Sequence, residues 1–286
     1  MDTSISHRLK PKKKQMSIKR AILYIVLTGL SIFMLIPFAW MLSSSFKLNK
    51  DVFTYPMVWW PKEFVWSNYT NIWVKIPLLR YIFNTAKLTV IITLIQLFTS
   101  SFAAYGFAKL RFPGRNILFL SYVCTIAIPW QTYMIPQFII FRYLGLVDKH
   151  LSLIILQSFT AFGVFLMRQF YLSIPNELNE AARIDGMNEY GIYAKIILPL
   201  SKPVIATLTI FSFVAVWNDF MGPFIYLNSK DLKTIQIGLR SFISEYSSEY
   251  SLIMAGAVLS LVPVIIIFVA LQKYFVEGIA TSGLKG

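Results

Sequence analysis

Six long apolar runs constrain what this chain can fold into. A bilayer core of about 30 Å is crossed by about 20 apolar residues in an α-helix. Only 14% of the 286 residues are charged, whereas soluble domains carry roughly a quarter. The sequence therefore predicts an all-α integral membrane protein with six transmembrane helices. The predicted spans lie at about residues 21–44, 84–107, 116–137, 151–171, 200–220 and 251–272.

The positive charges lie between the apolar runs rather than on a soluble domain. The net charge is +14, and the densest cluster is a basic tail at residues 1–20. Cytoplasmic loops of membrane proteins carry an excess of Lys and Arg. We therefore predict cytoplasmic termini, an uncleaved first span and no nucleic-acid partner. The chain then divides into the tail 1–20, a six-span domain 21–272 and a cytoplasmic C-terminal tail 273–286.

Residue types that several kinds of chemistry require are scarce. Cys124 is the only cysteine, and His7 and His150 are the only histidines, so no Cys/His metal site is expected. No G-x-x-x-x-G-K-[ST] sequence occurs, so we expect no P-loop for ATP. The spans carry neither paired carboxylates nor a nucleophile–base pair. We predict a non-enzymatic chain with no catalytic residue, metal or cofactor, and the lack of mid-span carboxylates disfavours an ion-coupled carrier.

Uncharged polar and aromatic residues leave two interpretations open. Gln96, Gln131 and Gln157 lie inside predicted spans. Such side chains can hydrogen-bond between helices, or they can line a path for a neutral, hydroxyl-rich solute. The first outer loop, about 45–83, is rich in Trp. Its indoles can form an interfacial belt or contact a ligand or partner.

The stretch between spans four and five is polar and rich in helix formers. We predict a helical hairpin here, over about 173–199. Ser173 or Asn176 can cap its first helix, and Gly186 is a natural stop because Gly accepts the left-handed conformation. A second short helix is expected over about 189–196.

One side of the first hairpin helix is predicted to carry small side chains. Leu178, Ala181, Ala182 and Asp185 fall at helical spacing. A helix lying on the bilayer would instead show a bulky apolar stripe opposite a face rich in Lys and Arg. A small-residue side with an acidic start suits a protein groove better. The stretch is therefore interpreted as a docking element for another protein.

The spacing of this stretch resembles the EAA loop of permease subunits of binding-protein-dependent ABC importers. The tripeptide EAA, then Gly186, then Ile-x-Leu-Pro stand at the expected intervals. The segments FLMRQFYLSIPNELNEAARIDG, KLRFPGR, WNDFMGPF and QKYFVEGIATSGLKG also resemble the carbohydrate-uptake branch, especially the second permease subunit of maltose-type systems. The ATPase-coupling residues that the resemblance implies are Glu180, Ala181, Ala182, Asp185, Gly186, Ile196, Leu198 and Pro199.

The resemblance implies a fold and a set of partners. The fold would be that of type I ABC importer permeases, with six spans and a cytoplasmic coupling helix seated in an ATPase cleft. The partners would be a second permease subunit, a dimeric cytoplasmic ABC ATPase, an extracytoplasmic solute-binding protein that contacts the loop at about 219–250, a sugar or oligosaccharide, and membrane lipid. The location would be a bacterial or archaeal cytoplasmic membrane.

Two further sets of residues are expected. In maltose-type relatives the C-terminal tail also reaches the ATPase dimer, whereas the sugar is held mainly by the other permease subunit. A non-sugar solute such as glycerol phosphate or a polyol stays an alternative, although a phosphate would favour cationic groups along the path. The expected C-terminal ATPase contacts are Glu277, Gly278, Gly283 and Gly286. The expected substrate-path residues are Trp217, Asn218 and Gln131.

Overall fold

The computed structural model describes residues 18–243 and 248–283, with side chains through residue 274. Within these ranges the chain forms fourteen α-helices. They are α1 (Ile18–Ser45), α2 (Ser67–Lys75), α3 (Leu78–Lys109), α4 (Arg115–Cys124), α5 (Trp130–Tyr143), α6 (His150–Gln157), α7 (Ala161–Ser173), α8 (Glu177–Ile184), α9 (Glu189–Ile192), α10 (Leu198–Leu200), α11 (Lys202–Trp217), α12 (Met221–Tyr226), α13 (Ile235–Arg240) and α14 (Tyr250–Gly283).

Three of these helices are long and apolar enough to cross a membrane, namely α1, α3 and α14. The other predicted spans are bent pairs. The break between α4 and α5 turns the chain by 98°, that between α6 and α7 by 40°, and that between α10 and α11 by 78°. The six-span prediction holds when each bent pair counts as one span. Predicted spans three and four are each broken inside, whereas the bend of the third pair lies at the start of predicted span five, most of which is the single helix α11.

Pro129 accounts for the sharpest break. A residue before proline is disfavoured in the α conformation, and Ile128 is accordingly extended, with φ −86° and ψ 111°. The new helix α5 starts directly after the proline, at Trp130. The proline therefore separates two helices at this position. Pro203 instead lies in the first turn of α11, a position that proline tolerates.

Polar side chains of α3 compensate for the break between α6 and α7. The Gln96 amide donates to the carbonyl of Gln157 at 2.6 Å, and the Thr99 hydroxyl donates to that of Ser158 at 2.9 Å. Because the helix is interrupted here, these carbonyls lack their regular helical partners. Backbone carbonyls at membrane depth need hydrogen-bond donors from the protein, and the two α3 side chains supply them. For this pair of α3 residues, the structure supports hydrogen bonding between helices rather than a solute path.

The core is organised along α3. One end of α3 packs in a cluster with α7, α8 and α11, its middle with α5, α6 and α12, and its other end with α2, α13 and α14. In the most apolar 18-residue stretch of α3, half of the residues are buried, whereas none is buried in the corresponding stretch of α1. The helix α3 is therefore the central element of this chain, and α1 lies at its periphery.

The two ends of α3 face different sets of loops. At its start, the Asn84 amide donates to the carbonyls of Asp231 and Lys233 at 2.8 and 3.0 Å. At its last residue, Lys109 contacts the connection between α7 and α8. We call the first the loop end and the second the coupling end. The end of α3 and the connection between α7 and α8 thus lie together at the coupling end.

Candidate coupling site

The first hairpin helix is α8, and it ends in a left-handed glycine turn. Gly186 has a φ of +80°. Its amide donates to the carbonyl of Arg183 at 3.0 Å, and the amide of Met187 donates to that of Ala182 at 3.0 Å. This pair of bonds is the Schellman motif, which closes a helix when glycine occupies the left-handed position. The predicted helix stop at Gly186 is confirmed.

The start of α8 differs from the prediction. Neither candidate cap accepts a bond from the free amides of the helix. The Ser173 hydroxyl donates to the carbonyl of Phe170 at 2.8 Å. The Asn176 side chain accepts from the Lys109 ammonium at 2.9 Å. The predicted side-chain cap is wrong because a tertiary contact occupies Asn176, while Glu177 and Glu180 still provide negative charge at the positive end of the helix dipole.

The second part of the hairpin is less regular than expected. Asn188 caps α9 by accepting from the amide of Gly191 at 2.8 Å. The α-helix then ends at Ile192, and Tyr193–Ile197 forms a π-helical turn before α10. The predicted short helix over about 189–196 is present, and its second half is π-helical rather than α-helical. Such π-turns insert a residue into the helical ladder.

The predicted coupling residues divide between the surface and the core. Ala182 is only 3% exposed and belongs to the apolar cluster with α3. The expected small-residue side is therefore split, because Leu178 and Ala181 face outward while Ala182 packs inward. Ile184 is 88% exposed, although sequence reasoning did not single it out. The remaining predicted residues that are exposed are Glu180, Asp185, Gly186 and Pro199, and those that are half-buried are Ile196 and Leu198.

A carboxylate in the hairpin joins three elements. Glu189, the first residue of α9, accepts from the Arg183 guanidinium of α8 at 2.7 Å and from the Tyr105 hydroxyl of α3 at 2.6 Å. The hydrogen bond to Glu189 raises the pKa of Arg183 above its ordinary value, so its guanidinium stays charged. These contacts connect α8 and α3 to the residue that follows the turn at Gly186, and so they hold the turn in place. Sequence reasoning missed Tyr105, Arg183 and Glu189.

A second bond from α3 holds the other side of the hairpin. Lys109 is 8% exposed, and its ammonium donates to the carbonyl of Ile174 at 2.6 Å as well as to Asn176. Sequence reasoning assigned Lys109 only to a basic loop. The available signal was its spacing from Tyr105, because residues four apart lie on one face of a helix.

An open groove runs beside this hairpin. It has a volume of about 850 Å³ and lies between the α3–α4 connection and α8. The groove is lined by side chains of both charges. The positive ones are Lys109, Arg111, Arg115 and Arg183, and the negative ones are Glu180 and Glu189. Among the described residues, no cluster of three His, Cys, Asp or Glu side chains could hold a metal ion. The coupling end therefore offers a polar surface with a projecting helix.

The expected C-terminal contacts lie at the limit of the described chain. Glu277, Gly278 and Gly283 fall within α14, which continues beyond the predicted start of the tail at residue 273. Gly286 lies outside the described residues. Their contact with an ATPase stays a prediction.

The expected path residues do not form one site in this structure. Trp217 is 2% exposed, and its indole donates to the carbonyl of Ser260 in α14 at 3.0 Å. It therefore packs α11 against α14, and its role in a solute path stays a prediction. Asn218 is exposed beside it, whereas Gln131 is exposed on α5. Across residues 18–243 and 248–283, no hydrogen bond joins Gln131 to either of the others.

Together, the apolar spans, the bent helix pairs and the projecting hairpin define a multi-pass membrane permease subunit. The chain belongs to the family of binding-protein-dependent transport system inner membrane components, whose model matches residues 96–281. It is thus a transporter subunit rather than an enzyme, with the fold of type I ABC importer permeases.

Comparisons with individual proteins agree with the family. The chain is 34% identical to the arabinooligosaccharides transport system permease protein AraQ of Bacillus subtilis, over 95% of this chain and 98% of that protein. It is 31% identical to the sn-glycerol-3-phosphate transport system permease protein UgpE of Escherichia coli O1:K1, over 82% of this chain and 86% of that protein. A crystal structure of a bacterial ABC transporter involved in the import of the acidic polysaccharide alginate matches with a TM-score of 0.77 and 28% identity, covering 91% of this chain and 99% of that chain.

Proposed function

We propose that this chain is one of two permease subunits of an ATP-driven sugar importer. It forms half of the translocation path and couples that path to a dimeric cytoplasmic ATPase. The observation that carries the proposal is the exposed helix α8, which ends in the left-handed turn at Gly186. It occurs in a chain that matches an arabinooligosaccharide permease over nearly its whole length. The hairpin provides the connection to the ATPase, and the relatives point to the cargo.

The orientation follows from the charges. The coupling end carries Lys109, Arg111 and Arg115, and the chain's densest basic cluster precedes α1. The Lys/Arg bias of membrane proteins puts such segments in the cytoplasm. The hairpin and both termini are therefore cytoplasmic in this proposal, and the loop end faces an extracytoplasmic solute-binding protein. The membrane is the cytoplasmic membrane of a bacterium or archaeon.

A neutral solute fits the interior of the spans better than a phosphate. No Lys or Arg occurs within residues 88–108, 116–141, 150–167, 203–229 or 250–272. A phosphate would be stabilised by such cations, and burying a charge without a partner is costly. A sugar needs only hydroxyl partners, which uncharged side chains supply. The glycerol phosphate relative is also matched over a smaller share of this chain.

Transport assays on the assembled importer test this proposal. We expect proteoliposomes that contain both permeases and the ATPase, with solute-binding protein added, to take up a neutral arabino-oligosaccharide only when ATP is supplied. Glycerol 3-phosphate serves as the competing solute, and an imposed proton or sodium gradient without ATP serves as the control. Uptake of glycerol 3-phosphate alone would contradict a sugar cargo. Uptake driven by an ion gradient would contradict an ATP-driven importer.

A further inference from the structure

The last turns of α3 carry two buried polar side chains on one face. Tyr105 is 4% exposed and Lys109 is 8% exposed. They are four residues apart and therefore lie one above the other on the helix. Both point toward the hairpin, because the hydrogen-bond partners of their polar groups all lie in residues 174–189.

These two residues bind the hairpin on either side of α8. Lys109 bonds to Ile174 and Asn176, immediately before α8. Tyr105 bonds to Glu189, immediately after the glycine turn that follows α8. Hydrogen bonds that involve a charged group are stronger than neutral ones, and each of these contacts includes an ammonium or a carboxylate. The helix α8 is thus held from α3 at both its entry and its exit.

An apolar cluster lies between these bonds. Ala182 of α8 and Ile192 of α9 are buried in the same cluster as Ala104 and Ala108 of α3. A displacement of α8 toward or away from the membrane must therefore either move α3 or break buried contacts.

The chain connections to α8 are less suited to carrying a displacement. Toward α7, residues 174–176 are not helical. Toward α11, the path runs through the π-helical turn Tyr193–Ile197 and then the 78° bend. Neither connection is a continuous helix. By contrast, α3 is a single helix of 32 residues that contributes to all three core clusters.

We propose that Tyr105 and Lys109 are positioning residues that clamp the coupling hairpin to α3, so that α3 receives the motion of the ATPase and distributes it to the core. This inference rests on the proposed function, because it assumes that an ATPase moves α8. It assigns the mechanical connection to a tertiary contact rather than to the chain segments on either side of the hairpin.

The clamp is tested with variants that remove one bond each in the assembled importer. Tyr105→Phe removes the hydroxyl that donates to Glu189, and Lys109→Met removes the ammonium while keeping an unbranched chain. The matched controls are Tyr143→Phe, at an exposed site near the loop end, and Lys19→Met, at the exposed start of the peripheral helix α1. Neither control side chain forms a hydrogen bond or ion pair with another described residue. The measurements are bound ATPase, the amount of sugar imported and ATP hydrolysed per sugar imported.

The expected result is loss of coupling with the complex intact. Tyr105→Phe and Lys109→Met should retain the ATPase at the wild-type level and raise ATP hydrolysed per sugar about tenfold or more, as expected when a hydrogen bond to a charged group is lost. The controls should match the wild type. An unchanged ratio in both variants would overturn the clamp, as would release of the ATPase, which would assign these residues to docking instead. Failure of the wild-type complex to import sugar would contradict the proposed function, independently of the clamp.

Discussion

Gly186→Val should abolish transport while leaving the subunit in the membrane. The φ of +80° at this position is accessible to glycine and strained for a β-branched residue. Valine would therefore open the Schellman turn and misplace Glu189 relative to α8. The proposed coupling needs both the closed turn and the position of Glu189. We therefore expect uptake to fall to background and the subunit to remain in the membrane fraction. Uptake in vesicles and membrane fractionation measure the two effects.

Two controls separate this effect from general damage. Gly186→Asn should retain much of the activity, because Asn is the residue after glycine that best tolerates the left-handed conformation. Gly145→Val imposes a similar strain, with φ +66° at the loop end, and should leave ATPase binding unchanged. Normal transport by Gly186→Val with the ATPase bound would show that the turn has no coupling role.

Gly163→Val should destabilise the subunit. A Cβ atom at Gly163 would lie 2.4 Å from Ser100 Oγ on α3 and 2.7 Å from Thr160 Cγ2. Thr160 cannot rotate freely, because its hydroxyl caps α7 by accepting from the amide of Gly163. The helices α3 and α7 would therefore separate, and overpacking of this kind costs about 1–3 kcal/mol.

The matched control for this variant is Gly106→Val. Both glycines are helical, but a Cβ at Gly106 meets nothing within 4 Å. Thermal unfolding of the purified subunits should therefore show a lower midpoint for Gly163→Val and a smaller change for Gly106→Val. Equal midpoints would contradict close packing of α7 against α3.

The number and position of the spans could be predicted from the sequence because hydropathy alone decides which segments enter a bilayer. The breaks within spans were harder to predict. Pro129 gives a local reason for one of them, whereas the break after Gln157 is stabilised by Gln96 and Thr99 from a distant helix. Local sequence cannot reveal that a partner elsewhere will satisfy the freed carbonyls.

The same distinction applies to the coupling site. The left-handed turn at Gly186 is a local property, and its prediction was correct. The buried position of Ala182 and the bonds of Tyr105 and Lys109 depend on how α3 packs against the hairpin, so spacing within the hairpin could not show them. Asn176 illustrates the point, because its amide side chain is as suitable for capping α8 as for accepting from Lys109.

Site-specific photocross-linking from α8 tests the central claim, namely that this hairpin is the contact with the ATPase. A photoreactive residue is placed at Ile184, which is 88% exposed at the coupling end, and separately at Tyr55, which is fully exposed in the first loop of the loop end. In the transport-active complex, we predict that Ile184 cross-links to the ATPase and that Tyr55 does not. Cross-links from Ile184 only to the solute-binding protein or to lipid, in a complex that still imports sugar, would contradict the account.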